Sequence, residues 1–240
     1  MKTIFSLAIS LFAVITFAQT NLQKQFSVPQ GKELVLKFDY PQLIKISTWD
    51  KNEVEITGKV NINNGENNSF FEITERVLNN EKVIEGKIPN YKNLPQQLTA
   101  YLGKEKMEFN TEKELLQYEK DKNVKFKIKS YNAKLEIELE IKVPRHMKTK
   151  IESIYGTVEV KKFDAPIIAK STYGSVDATL DEKKVGEILI EYFYGKIYTN
   201  LNLPIKTIKS EDFHTIMTAF SGKEPRQEFS SQYGNIYLRK

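Results

Sequence analysis

A Tyr-Gly pair recurs four times in residues 149–240, and this repeat constrains the fold more than any other feature of the chain. The four segments read SIYGTVEV, STYGSVDA, YFYGKIYT and SQYGNIYL. Their tyrosines, at 155, 173, 194 and 233, are spaced by 18, 21 and 39 positions. The last gap is close to two periods, so a fifth copy is predicted where Phe213 and His214 replace Tyr and Gly. Periods of about 20 residues are typical of solenoids, in which stacked units share one core.

Positions at fixed distances from each aromatic residue form columns of similar chemistry. Three positions later come Val158, Val176, Ile197, Ile216 and Ile236. Five positions later come Val160, Ala178, Thr199, Thr218 and Leu238. Both columns are small or β-branched, as an inward strand face requires. The columns predict five coils over 149–240, each with a corner between two strands.

The aromatic-glycine pairs are predicted to serve the backbone at these corners rather than a ligand. Gly adopts a positive φ without strain, and His is among the few other residues that visit that region. A corner also lets the ring and the residue three positions later both pack inward, and each stacked ring pair adds about 0.5–1.5 kcal/mol beyond area burial. The predicted structural corners are Tyr155, Gly156, Tyr173, Gly174, Tyr194, Gly195, Phe213, His214, Tyr233 and Gly234.

The preceding region is also rich in strand signals but is interrupted once. LEIELEIKV at 135–143 alternates apolar and charged residues, which indicates one buried and one wetted face. Residues 92–122 break this pattern, and Thr111 and Glu114 stand at capping-box spacing before a run of helix-forming residues. This interruption is either a surface helical insertion or a mobile charged excursion. The predicted fold class is all-β: a right-handed parallel β-helix or solenoid with a small helical insertion near 92–122.

The first residues and the composition predict the compartment. Residues 1–18 combine Lys2 with an apolar run too short to span a bilayer, which is typical of a signal peptide. Export to the periplasm, cell surface or medium follows, with an N-terminal β region at 19–148 continuous with the repeats at 149–240. The chain has no Cys, so disulfides and cysteine-ligated metals are excluded. A net charge of +5, with both signs interspersed, gives no case for a nucleic-acid ligand.

The segment VPRHMKTKIESIYGTVEV…AKSTYGSVDATL resembles the bacterial "putative auto-transporter adhesin head" (GIN) domain and its adhesin-like relatives of unknown function. LIKISTWDKNEVEITGKV at 43–60 looks like the opening of the same relatives. The resemblance covers nearly all of the chain after residue 18 except 92–122. It implies a β-helix-like fold of parallel coils exported to the envelope, with no catalytic residues assigned.

The sequence offers little for catalysis. The two histidines, His146 and His214, have no partner at metal-ligand spacing, so no metal site or cofactor is expected. The acidic residues on the coils could form the carboxylate pair of a carbohydrate-active enzyme; they are Glu152, Asp177, Asp181, Glu191 and Glu211. Solvated strand faces explain them equally well, and the protein is not expected to be an enzyme.

Two surface features point to binding. Four positions after each aromatic residue comes an outward column whose last members, Tyr198, Met217 and Tyr237, predict an apolar strip that binds a glycan or a protein. The final coil has no capping unit, so a homo-oligomer formed through the uncapped C-terminal coil is also expected. The function predicted first is an exported, non-catalytic binding, adhesin-like or scaffolding protein at the bacterial envelope. A carbohydrate-active enzyme on a short β-helix and a periplasmic signalling accessory protein are the alternatives.

Overall fold

The computed structural model describes residues 20–29, 31–220, 222 and 225–240, so the predicted signal peptide at 1–18 lies outside the described residues. No helix of the described ranges is long and apolar enough to cross a membrane. The strands of the first half are β1 (Thr20–Ser27), β2 (Glu33–Phe38), β3 (Leu43–Trp49), β4 (Glu53–Ile62), β5 (Glu72–Leu78), β6 (Glu81–Lys87), β7 (Gln97–Leu102), β8 (Glu105–Phe109), β9 (Ile128–Asn132) and β10 (Leu135–Pro144), with helix α1 (Glu112–Lys122) between β8 and β9. Those of the second half are β11 (Thr149–Ser153), β12 (Thr157–Lys161), β13 (Ile167–Ser171), β14 (Val176–Thr179), β15 (Glu187–Tyr192), β16 (Ile197–Thr199), β17 (Lys206–Glu211), β18 (His214–Phe220), β19 (Gln227–Ser231) and β20 (Ile236–Arg239).

Two large mixed sheets form a sandwich-like body. The first sheet has the order β1-β4-β10-β3-β12-β14-β20-β16, and the second has the order β17-β18-β15-β19-β13-β11-β2-β6-β5. The apolar faces of both sheets contribute to one core, to which the first sheet gives Ile46 and Val160 and the second gives Leu36 and Ile151. The clean alternation of β10, buried at Ile137, Leu139, Ile141 and Val143, produces this one-sided burial.

Each Tyr-Gly unit contributes one strand to each sheet. The strand before the corner joins the second sheet and the strand after it joins the first, as β11 and β12 do on either side of Gly156. Neighbouring units pair in parallel and in register, so that Ile151 lies beside Ala169 and Val158 beside Val176. The predicted inward columns are buried at Val158, Val176 and Ile236, while Ile197 and Ile216 are only partly buried.

The expected right-handed β-helix with coils in chain order is not what the sheets show. Both sheets carry antiparallel strands, and the unit with Phe213 and His214 forms the antiparallel hairpin β17–β18 instead of a parallel coil. The last unit is inserted between the second and the third, because β19 pairs with β13 and β15, and β20 pairs with β14 and β16. The C-terminal coil therefore has neighbours on both sides, and the prediction that it is an uncapped edge is wrong.

The corner glycines are required for a reason that differs from the predicted positive φ. None of Gly156, Gly174, Gly195 and Gly234 adopts a left-handed backbone, and neither does His214. A Cβ on Gly174 would instead lie 2.3 Å from the carbonyl oxygen of Gly156. A Cβ on Gly195 would lie 1.8 Å from the carbonyl oxygen of Gly234. Adjacent corners touch backbone to backbone, so only a residue without a side chain fits.

Residues 97–132 form a small separate layer. Strands β8, β7 and β9 make a three-stranded antiparallel sheet, and α1 packs on it through Leu115, which is buried with Leu98 and Phe126. The predicted helix is present: Thr111 Oγ1 accepts from the Glu114 N–H at 3.2 Å, and Asn123 ends it in the left-handed conformation. The rest of the predicted helical insertion contains the β7–β8 hairpin instead.

Candidate functional site

A row of seven stacked rings runs along the edge of the body where the Tyr-Gly corners lie. We call it the ring ladder; in spatial order its members are Tyr91, Tyr40, Tyr155, Tyr173, Tyr233, Tyr194 and Phe213. Successive centroids lie 5.0–5.9 Å apart with interplanar angles of 3–30°. Six steps at a strand spacing of about 4.8 Å give a row roughly 30 Å long. The predicted alignment of the aromatic residues down one axis is thus present.

Five of the seven ladder rings are exposed, although the sequence predicted that the corner aromatic residues pack inward, whereas Tyr40 and Tyr91 are partly buried against the core. The five rings from Tyr155 to Phe213 are between 48% and 62% exposed. The rings of Tyr155, Tyr173, Tyr233 and Tyr194 each stack on the rings before and after them in the ladder. Because ring centroids are about 5 Å apart, the rings are offset, an arrangement that aromatic pairs favour. The ladder therefore stabilises the stacking of corners from outside the core.

Buried serines hold the corners from inside. Ser171 Oγ accepts from the Gly174 N–H at 3.0 Å and donates to the Gly156 carbonyl at 2.8 Å. Ser231 Oγ repeats this arrangement, accepting from the Gly234 N–H and donating to the Gly174 carbonyl. Each hydroxyl thus binds its own corner and the neighbouring one, which satisfies backbone groups that the close approach would otherwise leave buried and unpaired.

A second aromatic feature lies on the outer face of the first sheet. Tyr198 on β16 and Tyr237 on β20 are paired in the parallel register and stack with centroids 5.2 Å apart. Strand β16 is the last strand of this sheet in the described part of the chain, so no strand of that part covers the other side of Tyr198, which is 49% exposed. We call these two residues and their polar neighbours Arg239, Asp177 and Asn235 the paired-tyrosine surface.

The polar groups of this surface are held in fixed positions. The Arg239 guanidinium lies 5.3 Å from the Tyr237 ring centroid and makes a bidentate ion pair with Asp177 at 2.8 and 2.9 Å. The hydrogen bond to Asp177 and the charge of this carboxylate raise the pKa of Arg239 above its usual value. Asn235 Nδ2 donates to the Tyr237 hydroxyl at 3.2 Å. Rings and hydrogen-bonding groups are therefore presented together and preorganised.

Met217 does not join the two tyrosines. It lies on β18 in the second sheet, opposite Ile190 and partly buried against the core, so the predicted three-residue strip is not assembled. The reason is the hairpin β17–β18, which reverses direction and never supplies a strand to the first sheet. Whether Tyr198 and Tyr237 bind a ligand stays a prediction.

The residues considered for catalysis are dispersed. Asp177 lies on the first sheet, whereas Glu152 and Glu191 lie on the second, separated by β13 and β19. Glu191 Oε1 lies 2.9 Å from His214 Nε2, and Glu152 forms an ion pair with Lys150 at 2.6 Å. In the described ranges no group of three or more His, Asp or Glu side chains is placed to hold a metal ion.

The pKa shifts near the ladder have a structural origin. Burial raises the pKa of the Asp39 carboxyl, with Lys87 acting in the opposite direction. Burial and the Asp39 charge raise the pKa of the Tyr40 hydroxyl. Both groups lie at the corner between β2 and β3, where the chain turns under Tyr155. These shifts follow from packing at the ladder and do not identify an acid or a base for catalysis.

Sequence reasoning missed Tyr40, Tyr91 and the serine hydrogen bonds. Phe38 pairs with Ser153, and Tyr40 follows Phe38 by two positions just as Tyr155 follows Ser153. The β2–β3 corner therefore occupies the place of a further unit. The sequence signal for this corner is weak, because Tyr40 is followed by Pro41 and Gln42 where the repeats have a single glycine after the tyrosine. The serine signal is stronger, since SIYG, STYG and SQYG share Ser two positions before Tyr.

No family model matches the chain, and no curated protein matches it in sequence. Among solved structures, the fold is similar to that of a "putative cell adhesion protein" from Clostridium sporogenes ATCC 15579, with a TM-score of 0.51 and 12% identity over 92% of this chain and 99% of that chain. A "putative lipid binding protein" from Parabacteroides distasonis ATCC 8503 gives a TM-score of 0.25 and 8% identity over 92% and 97%. The first similarity is one of fold alone, and it places the chain among all-β proteins of this two-sheet architecture. The second similarity is too weak to indicate a shared fold.

Proposed function

We propose that this protein is an exported, non-catalytic, adhesin-like binding protein that acts at the bacterial envelope, in the periplasm or at the cell surface. The fold similarity to a structure described as a cell adhesion protein supports the adhesin-like class. The resemblance of the Tyr-Gly segments to the GIN domain supports the same class and the export. In this proposal the parallel units act as short solenoid-like coils that scaffold the binding surface.

The observation that carries the proposal is the paired-tyrosine surface. Tyr198 presents a ring with one face covered by Tyr237 and the other side free of any strand. Aromatic rings of this kind supply rigid, amphipathic contact area for a sugar ring or a protein side chain. Arg239, Asp177 and Asn235 add a charged donor, an acceptor and an amide within the same patch. This mixture fits a hydroxyl-rich ligand, and we propose an envelope glycan as the first ligand class.

A glycan array probed with the chain purified after export tests the proposal, together with the Tyr198→Ala variant. Tyr131→Ala is the matched control, because Tyr131 is also 49% exposed but lies on the small third sheet. We expect wild type and Tyr131→Ala to bind the same glycans, and Tyr198→Ala to bind them at least about tenfold more weakly, as loss of an aromatic anchor implies.

A reducing-sugar assay on the bound glycans separates binding from cleavage. Bound glycan without new reducing ends supports the proposal, whereas released product supports the alternative of a carbohydrate-active enzyme. The same three proteins can also be used to capture partners from an envelope extract. Capture of one envelope protein by wild type and Tyr131→Ala, but not by Tyr198→Ala, would support a signalling accessory role. Binding that is identical in all three proteins would overturn the assignment of this surface.

A further inference from the structure

The second sheet ends in a strand whose outer edge is free. Among the residues that the structure describes, strand β17, Lys206–Glu211, pairs only with β18, and all six of its residues are exposed. Apolar side chains surround this edge: Ile208 is 62% exposed, Phe213 62% and Phe220 66%. A free edge offers a row of unpaired N–H and C=O groups to another strand. This edge of the second sheet is therefore open to the addition of another strand.

We propose that two copies of this chain pair antiparallel along β17, about a two-fold axis perpendicular to the second sheet. The register places Lys206 of one copy opposite Glu211 of the other, and Thr207 opposite Ser210. The sheet then continues from one copy into the next, with the inner faces of both on the same side. This association is independent of the proposed function and is measured without any ligand.

Charge complementarity selects this register. Two-fold symmetry makes the Lys206–Glu211 contact twice, so opposite charges meet at both ends of the paired strands. Lys206 forms no ion pair within the described ranges and is available for the second copy. Glu211 contacts Lys209 through Oε2 at 3.0 Å, which leaves its other carboxylate oxygen open.

The backbone supports the same register. Glu211 and His214 flank a two-residue turn, and residues in that position exchange hydrogen bonds in an antiparallel hairpin. Ser210 lies opposite Thr215 and Thr207 opposite Met217, and these are the non-hydrogen-bonded pairs that alternate with the hydrogen-bonded ones. The backbone N–H and C=O groups of Ser210 and Thr207 therefore point to the free edge. The proposed pairing of Thr207 with Ser210 brings these outward groups together.

The other free edges of the two sheets lack this complementarity. In the β17 pairing Lys209 of one copy lies opposite Lys209 of the other at the two-fold axis, and the ion pair of each with its own Glu211 at 3.0 Å offsets this like-charge contact. The symmetric pairing of β5 about Glu75 also places a charge against itself but brings no opposite charges directly together, and β16 has only three residues. Strand β1 carries Lys24 as its single charge. On β17, the bulge between Thr207 and Lys209 and the two lysines hinder pairing with an arbitrary strand. These features restrict the edge to a strand of matching charge, which a second copy supplies.

Sedimentation velocity over a concentration series, with a charge swap, tests the pairing. We expect a monomer–dimer equilibrium in the wild type, and a dimer Kd raised about tenfold or more in Lys206→Glu and in Glu211→Lys, since each puts like charges opposite each other twice. The double variant restores opposite charges and should return the Kd toward the wild-type value. Lys104→Glu, in the exposed β7–β8 turn, is the control that makes the same charge change far from β17 in sequence and should leave the Kd unchanged.

Cysteine cross-linking tests the register directly, because the chain contains no Cys. Mixing Thr207→Cys with Ser210→Cys should give the disulfide-linked dimer in good yield, because opposed residues of paired strands lie within disulfide reach. Either variant alone should give far less. A wild type that remains monomeric at high concentration would overturn the proposal. So would a dimer that ignores the charge swap or cross-links equally in every combination.

Discussion

Gly174 lies where two corners of the chain touch, and this contact gives the sharpest prediction at the scale of one residue. A Cβ at this position would lie 2.3 Å from the Gly156 carbonyl oxygen and 2.8 Å from the Thr157 nitrogen. Both atoms belong to the backbone and cannot rotate away. We expect Gly174→Ala to lower the free energy of unfolding by about 2–3 kcal/mol through overpacking, measured by urea denaturation.

Gly222→Ala is the control for this substitution, because the nearest atom to its Cβ would be the Val185 carbonyl oxygen at 3.6 Å, an ordinary contact. Its free energy of unfolding should stay within about 0.5 kcal/mol of the wild type. Equal effects of the two substitutions would show that the close approach of the corners does not require glycine.

The regular spacing of the Tyr-Gly pairs predicts where the chain turns but not why glycine is required there. The interval between Tyr-Gly pairs correctly located four corners, because each unit must turn once between two strands. The predicted reason for glycine was wrong, since a left-handed backbone and a missing Cβ demand the same residue type. Which of the two applies at Gly156 depends on Pro41, 115 positions earlier, whose carbonyl oxygen occupies the space of its Cβ. Such a neighbour is set by tertiary structure and leaves no local signal.

At the scale of an element, the ring ladder contributes to stability although its rings are exposed. Tyr173 stacks on Tyr155 at 5.3 Å and on Tyr233 at 5.1 Å. Tyr173→Ala removes both contacts, so we expect a loss of about 1–3 kcal/mol beyond area burial. For a chain of this size the melting temperature should fall by roughly 3–10 °C. Tyr173→Phe keeps the ring and should melt close to the wild type, as followed by circular dichroism.

A different result for Tyr173→Ala would change the role assigned to the ring ladder. An unchanged melting temperature in Tyr173→Ala, combined with loss of a ligand that the wild type binds, would mean that the rings serve binding rather than the stacking of corners.

The strand positions were largely predictable, whereas their order was not. Period-2 alternation marks a strand wherever one face is buried, as in β10, but the repeat does not say which units are neighbours. One signal was present in the motif itself. Ser153, Ser171 and Ser231 precede their tyrosines by two positions, and their three units are consecutive in space. The unit of Tyr194 has Tyr192 in place of the serine, and in space it follows the unit of Ser231. The serine hydrogen bonds thus link the last unit to the second.

At the scale of the whole molecule, residues 225–240 supply an interior strand to each of the two large sheets. Strand β19 lies between β13 and β15, and β20 lies between β14 and β16. Phe229 and Leu238 from these strands are buried in the shared core. Removal of residues 225–240 would leave β15 and β16 without parallel neighbours and open the core between two units. We therefore expect the truncated chain to lack cooperative unfolding and to lose protection of its amides against hydrogen exchange.

Removal of a longer segment elsewhere provides the comparison that makes this prediction specific. Residues 98–131 form their own sheet and helix around a separate core, and Gln97 pairs directly with Asn132. Opposed residues of antiparallel strands are about 5 Å apart, so a linker of two or three glycine or serine residues can replace this segment. The shortened chain should keep a cooperative urea transition and the protected amides of β11, β13 and β19, with a smaller m-value because less surface is exposed on unfolding. A chain that lacks residues 225–240 and still unfolds cooperatively would show that the interior strands β19 and β20 are not needed for the fold. A chain that lacks residues 98–131 and fails to fold would show that the small layer is needed by the two large sheets.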